Sequence, residues 1–283
     1  MRHALENYIP LDKSWIIRMG VLDMVNGQKN INKFLKKQKD IGEDLIALKH
    51  ASEDWNKKEI NVGESGTLYR FLQFASWKLN LEKKFIRKGT LKTRKITSDS
   101  RIVDYPLEKL LKLDNSTSQW ASASVLMGNS VKPKKIPFKL ATTYEAVRHW
   151  KKNKPWVSKY DKTIQKQAET FLKLLKGQKP KFKPAQGEDF CFAYIFGYIS
   201  KKEAENKWPA LKGHESNRFT EMDTMIKNAK SGKSIDSKDH RVIQAIAMWA
   251  MVNDKKVNIT YPDSVNKSWP QFWEFMKYAS SKN

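Results

Sequence analysis

Apolar residues recur at helical spacing in stretch after stretch of this chain, and short β-type runs lie between some of them. The helical period is clear at 12–26, where Trp15, Met19 and Leu22 share a face, and at 31–48, with Ile31, Phe34, Leu35, Ile41, Leu45 and Leu48. It is strong at 65–80. It returns at 162–176, where Ile164, Ala168, Phe171, Leu172 and Leu175 align, and at 217–230, 240–253 and 269–281. Several of these runs carry their own start and stop signals. Asp12 or Ser14 opens the first and Gly27 closes it; Asp114 to Thr117 precede a run that Gly128 ends. Thr142 and Glu145 form a capping box that predicts a helix through Trp150, Gly177 follows the run at 162–176, and Ser268 with Pro270 opens the last. Residues 82–96, around Gly89, and 256–261 (KVNITY) read as strand pieces. Alternation of this kind predicts an α/β fold. The polar stretch 151–160, with Pro155, is the best linker candidate.

The chain can build a core: 40% of its 283 residues are apolar, ten Trp and thirteen Phe included. Its 54 Lys and Arg exceed its 30 Asp and Glu by 24, an excess that must face water or an anionic partner. Nucleic acid is disfavoured, because the lysines are scattered and neither zinc-finger spacing nor an RNP-like aromatic block occurs. There is no GxxxxGK[ST] loop and no GxGxxG. The five histidines show no metal-ligand spacing, so no metal is expected. The only cysteine, Cys191, lies in an apolar run and reads as a buried, inert thiol. No apolar signal region opens the chain, and the run at 191–199 falls short of the ~20 residues a membrane span needs. A cytoplasmic protein without a membrane partner is the expectation.

Three helix starts share one chemistry. DKSWIIR puts Lys13 and Ser14 at an N-terminus with Arg18 one turn later; GESGTLYR puts Ser65, Gly66 and Thr67 at another, followed by Arg70; STSQ puts Thr117, Ser118 and Gln119 at a third. Helix N-termini offer unpaired N–H groups and a partial positive charge, so hydroxyls and a guanidinium there suit a phosphate or carboxylate. The same residues also serve as plain caps with a snorkelling arginine.

In order along the chain, these segments resemble the motifs of the enolpyruvyl transferases, in particular the 5-enolpyruvylshikimate-3-phosphate synthase family. GESGTLYRFL (63–72) resembles the GxxGTxxR motif, and DKSWIIR (12–18) the N-terminal Lys-Ser-x-x-x-Arg motif. GTLKTRKI (89–96) is similar to the RMKERPI segment, STSQW (116–120) to the Ser-Ser-Gln motif, and ATTYEAV (141–147) to the following Ser-x-Pro-Tyr helix start. EDFCFAY (188–194), HESNRF (214–219), DHRVIQAIAMWA (239–250) and VNKSWPQFWEFM (265–276) continue the series.

The resemblance implies a transfer of the enolpyruvyl group of phosphoenolpyruvate to the 5-hydroxyl of shikimate 3-phosphate, with release of phosphate. It implies Asp189 as base, Glu215 as proton donor and Lys13 as the cation that helps phosphate leave. Phosphoenolpyruvate would be held by Lys13, Gly66, Thr67, Arg94, Arg218, Arg241 and Lys267. Shikimate 3-phosphate would be held by Lys13, Ser14, Arg18, Thr117, Ser118, Gln119, Tyr144, Asp189 and His214. Arg70 ranks below these, as a support from behind. No metal or organic cofactor is implied, and a monomer is expected. The implied fold is a two-domain inside-out α/β barrel of repeated βαβαββ units, with at least one unit lost. Its domains would span 13–153 and 1–12 plus 154–283, with the substrates between them.

The chain departs from the pattern in four respects. It is short, with little room at 97–112 and between Trp150 and Gly187. His214 stands for a lysine, and a neutral imidazole binds anions less well. Ala141 stands for a substrate-binding serine and Asn217 for an aspartate, and Glu64 for the asparagine of the commoner motif. These changes leave a second possibility, a diverged member that acts on another acceptor or only binds an anionic metabolite. UDP-N-acetylglucosamine enolpyruvyl transferase is a further alternative; it needs a loop cysteine, and Cys191 lies in an apolar run.

Overall fold

Ser65, Asp161, Asn217 and Asp239 each stand at the N-cap of a helix. In the computed structural model, which describes residues 5–113, 118–134, 136–152, 159–213 and 216–282, each of these side chains accepts a hydrogen bond from a backbone N–H of the first turn. The chain divides into two compact units, Leu11–Lys159 and Met1–Pro10 with Tyr160–Asn283.

The unit Leu11–Lys159 begins with α1 (Lys13–Val25), capped by Asp12, whose carboxylate accepts from Trp15 N at 3.1 Å. Two helices follow where the period suggests one: α2 (Asn30–Lys36) and α3 (Glu43–Glu53). They are separated by Asp40, in the left-handed region at φ 52°, which a continuous helix does not tolerate. Next come β1 (Glu59–Gly63), α4 (Gly66–Lys78) and β2 (Lys84–Arg87). The strands pair in parallel, Ile60 beside Phe85 and Gly63 beside Arg87, with a bulge after Asn61. They form one βαβ unit, with α4 as the crossover. Ile60 and Val62 alternate inward and are fully buried. Short α5 (Leu107–Leu110) leads to α6 (Gln119–Leu126) and α7 (Phe138–Lys151). Trp15, Leu48, Phe71, Phe74 and Trp120 fill the core of this unit. The capping box at Thr142 lies inside α7, which starts four residues earlier, at Phe138, with Pro137 at the cap position; the neighbouring Thr143 is fully buried.

The unit Met1–Pro10 with Tyr160–Asn283 comprises α8 (Lys162–Leu175), α9 (Phe190–Ile195), α10 (Lys201–Lys207), α11 (Arg218–Lys230), α12 (His240–Val252) and α13 (Phe272–Ser280). Helix α12 is apolar almost all round and is accordingly buried. Ile243, Ala247 and Met248 pack with Phe171, Phe272 and Phe275, while Val242, Ala245 and Ile246 pack with Phe190, Phe219 and Met222. Leu5 and Ile9 belong to the first of these clusters, and the Trp269 indole donates to Tyr8 O at 2.6 Å. Helix α13 begins at Phe272, three residues later than Ser268 and Pro270 suggest, after a 3-10 turn over Pro262–Lys267.

The α/β expectation, and with it the inside-out barrel of repeated βαβαββ units, is corrected. The structure is 59% helical, and its one sheet among the described residues has two short parallel strands. Residues 256–261 supply no strand, only an isolated bridge between Ile259 and Ile235. The physical reason is legible in the intervals between helices. Residues 131–137 carry Pro133 and Pro137, and residues 178–186 carry Pro180 and Pro184. Prolines remove ladder donors, and lysines dominate the rest of these intervals, so β-type runs find no partner edge. Among the described residues, no helix is long and apolar enough to cross a membrane.

Candidate functional site

Helix α4 gathers the densest set of expected site residues. Its first residue is Gly66, and Ser65 caps it through Leu68 N. Arg70 lies one turn on, on the same face of the helix. Its Nη1 donates to Gly66 O at 3.2 Å and to Gln119 Oε1 at 2.8 Å. Gln119 is the first residue of α6, behind its N-cap Ser118, and its Nε2 donates to Thr67 Oγ1 at 3.0 Å. Two helix starts are thereby joined through one amide, between residues 52 positions apart. The Arg70 guanidinium also lies over the Trp120 ring, 5.9 Å from its centroid.

Arg94 approaches the same point from the loop after β2. A Cβ placed on Gly66 would sit 3.2 Å from Arg70 Nη1 and 3.3 Å from Arg94 Nη1. Two guanidinium groups thus converge on a residue whose lack of a side chain admits them. The nearby Glu64 carboxylate turns toward Gly89 and Thr90, whose hydroxyl donates to Glu64 Oε2 at 3.3 Å. Two arginines, a helix N-terminus and the Thr67–Gln119 pair make a seat that matches the oxygens of a phosphate or carboxylate. Arg70, which the resemblance ranks behind the other residues, ends at the same glycine as Arg94. Its spacing of four from Gly66 is what places it there, as the GESGTLYR pattern indicates.

At the start of α1 the expected ligands are engaged by the protein. Lys13 Nζ lies 2.9 Å from Asp44 Oδ2. Lys139 Nζ donates to Ser14 Oγ at 3.1 Å. Arg18 is 2% exposed: Nε donates to Thr143 Oγ1 at 2.7 Å, Nη1 to Ser14 O at 2.7 Å and Nη2 to Lys139 O at 3.1 Å, above the Phe71 ring. Burial lowers its pKa to about 10, against the attraction of Asp12, so it stays charged at neutral pH. Arg18 therefore ties α1 to α7 inside the core. The Tyr144 hydroxyl donates to Val131 O, and burial raises its pKa. Ala141 is exposed on α7.

The other unit holds its expected residues in two linked groups. Asp189 is buried and closes its own loop, accepting from Ala185 N at 2.8 Å, Gln186 N at 3.2 Å and Gln167 Nε2 at 3.1 Å. Arg218 Nε lies 2.6 Å from Asp239 Oδ2, and both side chains are almost fully buried. Asp239 also caps α12 through Arg241 N at 2.9 Å. Arg241 Nη2 is 3.8 Å from Glu188 Oε2, and its Nε has no partner among the described residues. Lys267 precedes Ser268, whose hydroxyl accepts from Gln244 Nε2 at 3.2 Å. Cys191 is buried, which pushes its thiol pKa well up and leaves it inert. Thr117, His214 and Glu215 lie outside the described residues, as does most of the linker candidate at 151–160. Asn217, which stands for an aspartate of the family pattern, is the N-cap of α11.

No family model, curated protein or solved structure matches the chain.

Proposed function

We propose that this chain transfers the enolpyruvyl group of phosphoenolpyruvate to the 5-hydroxyl of shikimate 3-phosphate and releases phosphate. Nine segments that resemble the family's motifs, in the family's order, support the reading. The observation that carries it is the convergence of Arg70 and Arg94 on Gly66, beside Thr67 and Gln119. Phosphoenolpyruvate carries a phosphate and a carboxylate close together, and two guanidinium forks at one helix start suit that pair. In this reading Asp189 takes the hydroxyl proton, Glu215 protonates the methylene carbon, and Lys13 assists departure of phosphate. The work is acid–base chemistry plus electrostatics and needs no metal or organic cofactor. The reading places the protein in aromatic amino-acid biosynthesis, as a cytoplasmic monomer.

A second reading, binding of an anionic metabolite without turnover, is favoured by two observations. Lys13 is paired with Asp44, and Arg218 with Asp239, so two of the expected cations already hold carboxylates.

Phosphate release separates the readings. Release that requires both phosphoenolpyruvate and shikimate 3-phosphate, and that stops in Glu215→Ala, is the expected result. A raised melting temperature with shikimate 3-phosphate but no release under any pairing selects the binder. Neither effect removes both.

A further inference from the structure

Thr90 stands between two charged groups of opposite sign, and the chemistry of those groups fixes its orientation. A carboxylate only accepts and a guanidinium only donates. The Thr90 hydroxyl therefore gives its proton to Glu64 Oε2 at 3.3 Å and accepts from Arg94 Nη2 at 3.1 Å. One hydroxyl has one proton to give and lone pairs to spare, so both bonds form together. Arg94 has its other terminal nitrogen, Nη1, at Gly66. The residue that anchors the chain of bonds is held in turn by a close approach. A Cβ on Gly89 would fall 1.5 Å from Glu64 Oε1, and Gly89 has φ 46°, so only glycine leaves the carboxylate this position.

We propose that Thr90, held by Glu64 against Gly89, is a positioning residue that aims Arg94 at the anion seat on α4 and thereby sets its affinity for phosphoenolpyruvate. The inference rests on the reading of that seat as the phosphoenolpyruvate site. It explains the acidic residue beside an anion seat: Glu64 acts on the arginine through a hydroxyl and faces away from the anion. An arginine on a loop otherwise loses rotamer freedom when it binds, and a prior hydrogen bond removes part of that cost.

The test uses the full chain and two variants, Thr90→Val, which keeps the shape and removes the hydroxyl, and Thr90→Ser, which restores it. Two readouts separate the relay from the site. The first is the side-chain N–H resonances of Arg94 without ligand, expected to shift in Thr90→Val and to return in Thr90→Ser. The second is the dissociation constant for phosphoenolpyruvate by calorimetry, together with KM and kcat for phosphate release. Thr90→Val is expected to raise the phosphoenolpyruvate constant and KM about five- to tenfold, with kcat within twofold and the shikimate 3-phosphate constant unchanged; Thr90→Ser recovers most of this. Unchanged Arg94 resonances in Thr90→Val overturn the relay. Moved resonances with unchanged phosphoenolpyruvate affinity overturn its role in binding. An unsubstituted chain that binds neither phosphoenolpyruvate nor inorganic phosphate overturns the site itself, whatever the resonances do.

Discussion

Arg218 has one assignment from resemblance, as a ligand of phosphoenolpyruvate, and another from packing, as the buried partner of Asp239. The variant Asp239→Asn distinguishes them. Asparagine caps a helix as well as aspartate does, so the bond from Arg241 N is retained and only the charge is lost. The guanidinium and carboxylate touch at 2.6 Å with both side chains at most 3% exposed. Charge centres about 4 Å apart at an effective dielectric of ~20 attract by about 4 kcal/mol. Loss of one member of a buried pair costs about 3–5 kcal/mol, because the remaining charge keeps its desolvation penalty. Asp239→Asn should therefore destabilise the unit that contains α11 and α12 by about 3–5 kcal/mol. The double variant Arg218→Met, Asp239→Asn should recover at least half of it, since methionine fills the space without a charge. The assay is urea unfolding followed by tryptophan fluorescence, with midpoints compared at constant slope. A cost below about 1 kcal/mol in Asp239→Asn, or strictly additive losses in the double variant, refutes the structural assignment and returns Arg218 to the ligand role.

Two further outcomes follow from the geometry. Gly66→Val should weaken phosphoenolpyruvate binding at least about tenfold, because its branched side chain enters the space where Arg70 and Arg94 end; calorimetry reads this, and unchanged affinity would remove the seat from α4. Burial raises the Asp23 pKa above its ordinary value, against hydrogen bonds from Ile31 N and the Trp150 indole. With the folded value above the unfolded one, its contribution to stability is full below the unfolded pKa and is lost as pH rises through the folded pKa. Unfolding midpoints of the unit Leu11–Lys159 should accordingly fall over that window, and Asp23→Asn should flatten this part of the profile; the same slope in both proteins would rule Asp23 out as its source.

Most of the longer helices were legible in the sequence, because a helix is a local object. Ser65, Asp161, Asn217 and Asp239 bind N–H groups two or three residues away, and Gly27, Gly128 and Gly177 adopt positive φ just after helix ends. A strand is not local. The KVNITY run has the right composition, yet a ladder needs a second edge, and Ile259 finds a single bridging residue. The same distinction applies to the site. The sequence marked Gly66, Thr67, Gln119 and Arg94 as residues for anion chemistry, by type and by resemblance. It assigned Thr90 no role although the residue lies in the GTLKTRKI segment, and it marked Glu64 only as a departure from the commoner motif, since the bonds that join them to Arg94 form through space.

The sequence by itself determined which long runs are helical and which of their faces are apolar, and that many cations must be accommodated, while the starts of α7 and α13 and the break between α2 and α3 came from the structure. Only the tertiary structure decided which acceptor, charged or neutral, each cation meets. Lys13 finds Asp44 across 31 residues, Arg18 finds Thr143 across 125, and Arg218 finds Asp239 across 21. Charge acts through space and not along the chain, so the partner of an arginine is settled by packing of the helices that carry both groups. The start of α4 shows both halves of this. Its cap and glycine are written in GESGT, and the two guanidinium groups that meet there, one from its own next turn and one from 28 residues downstream, are brought together by the fold.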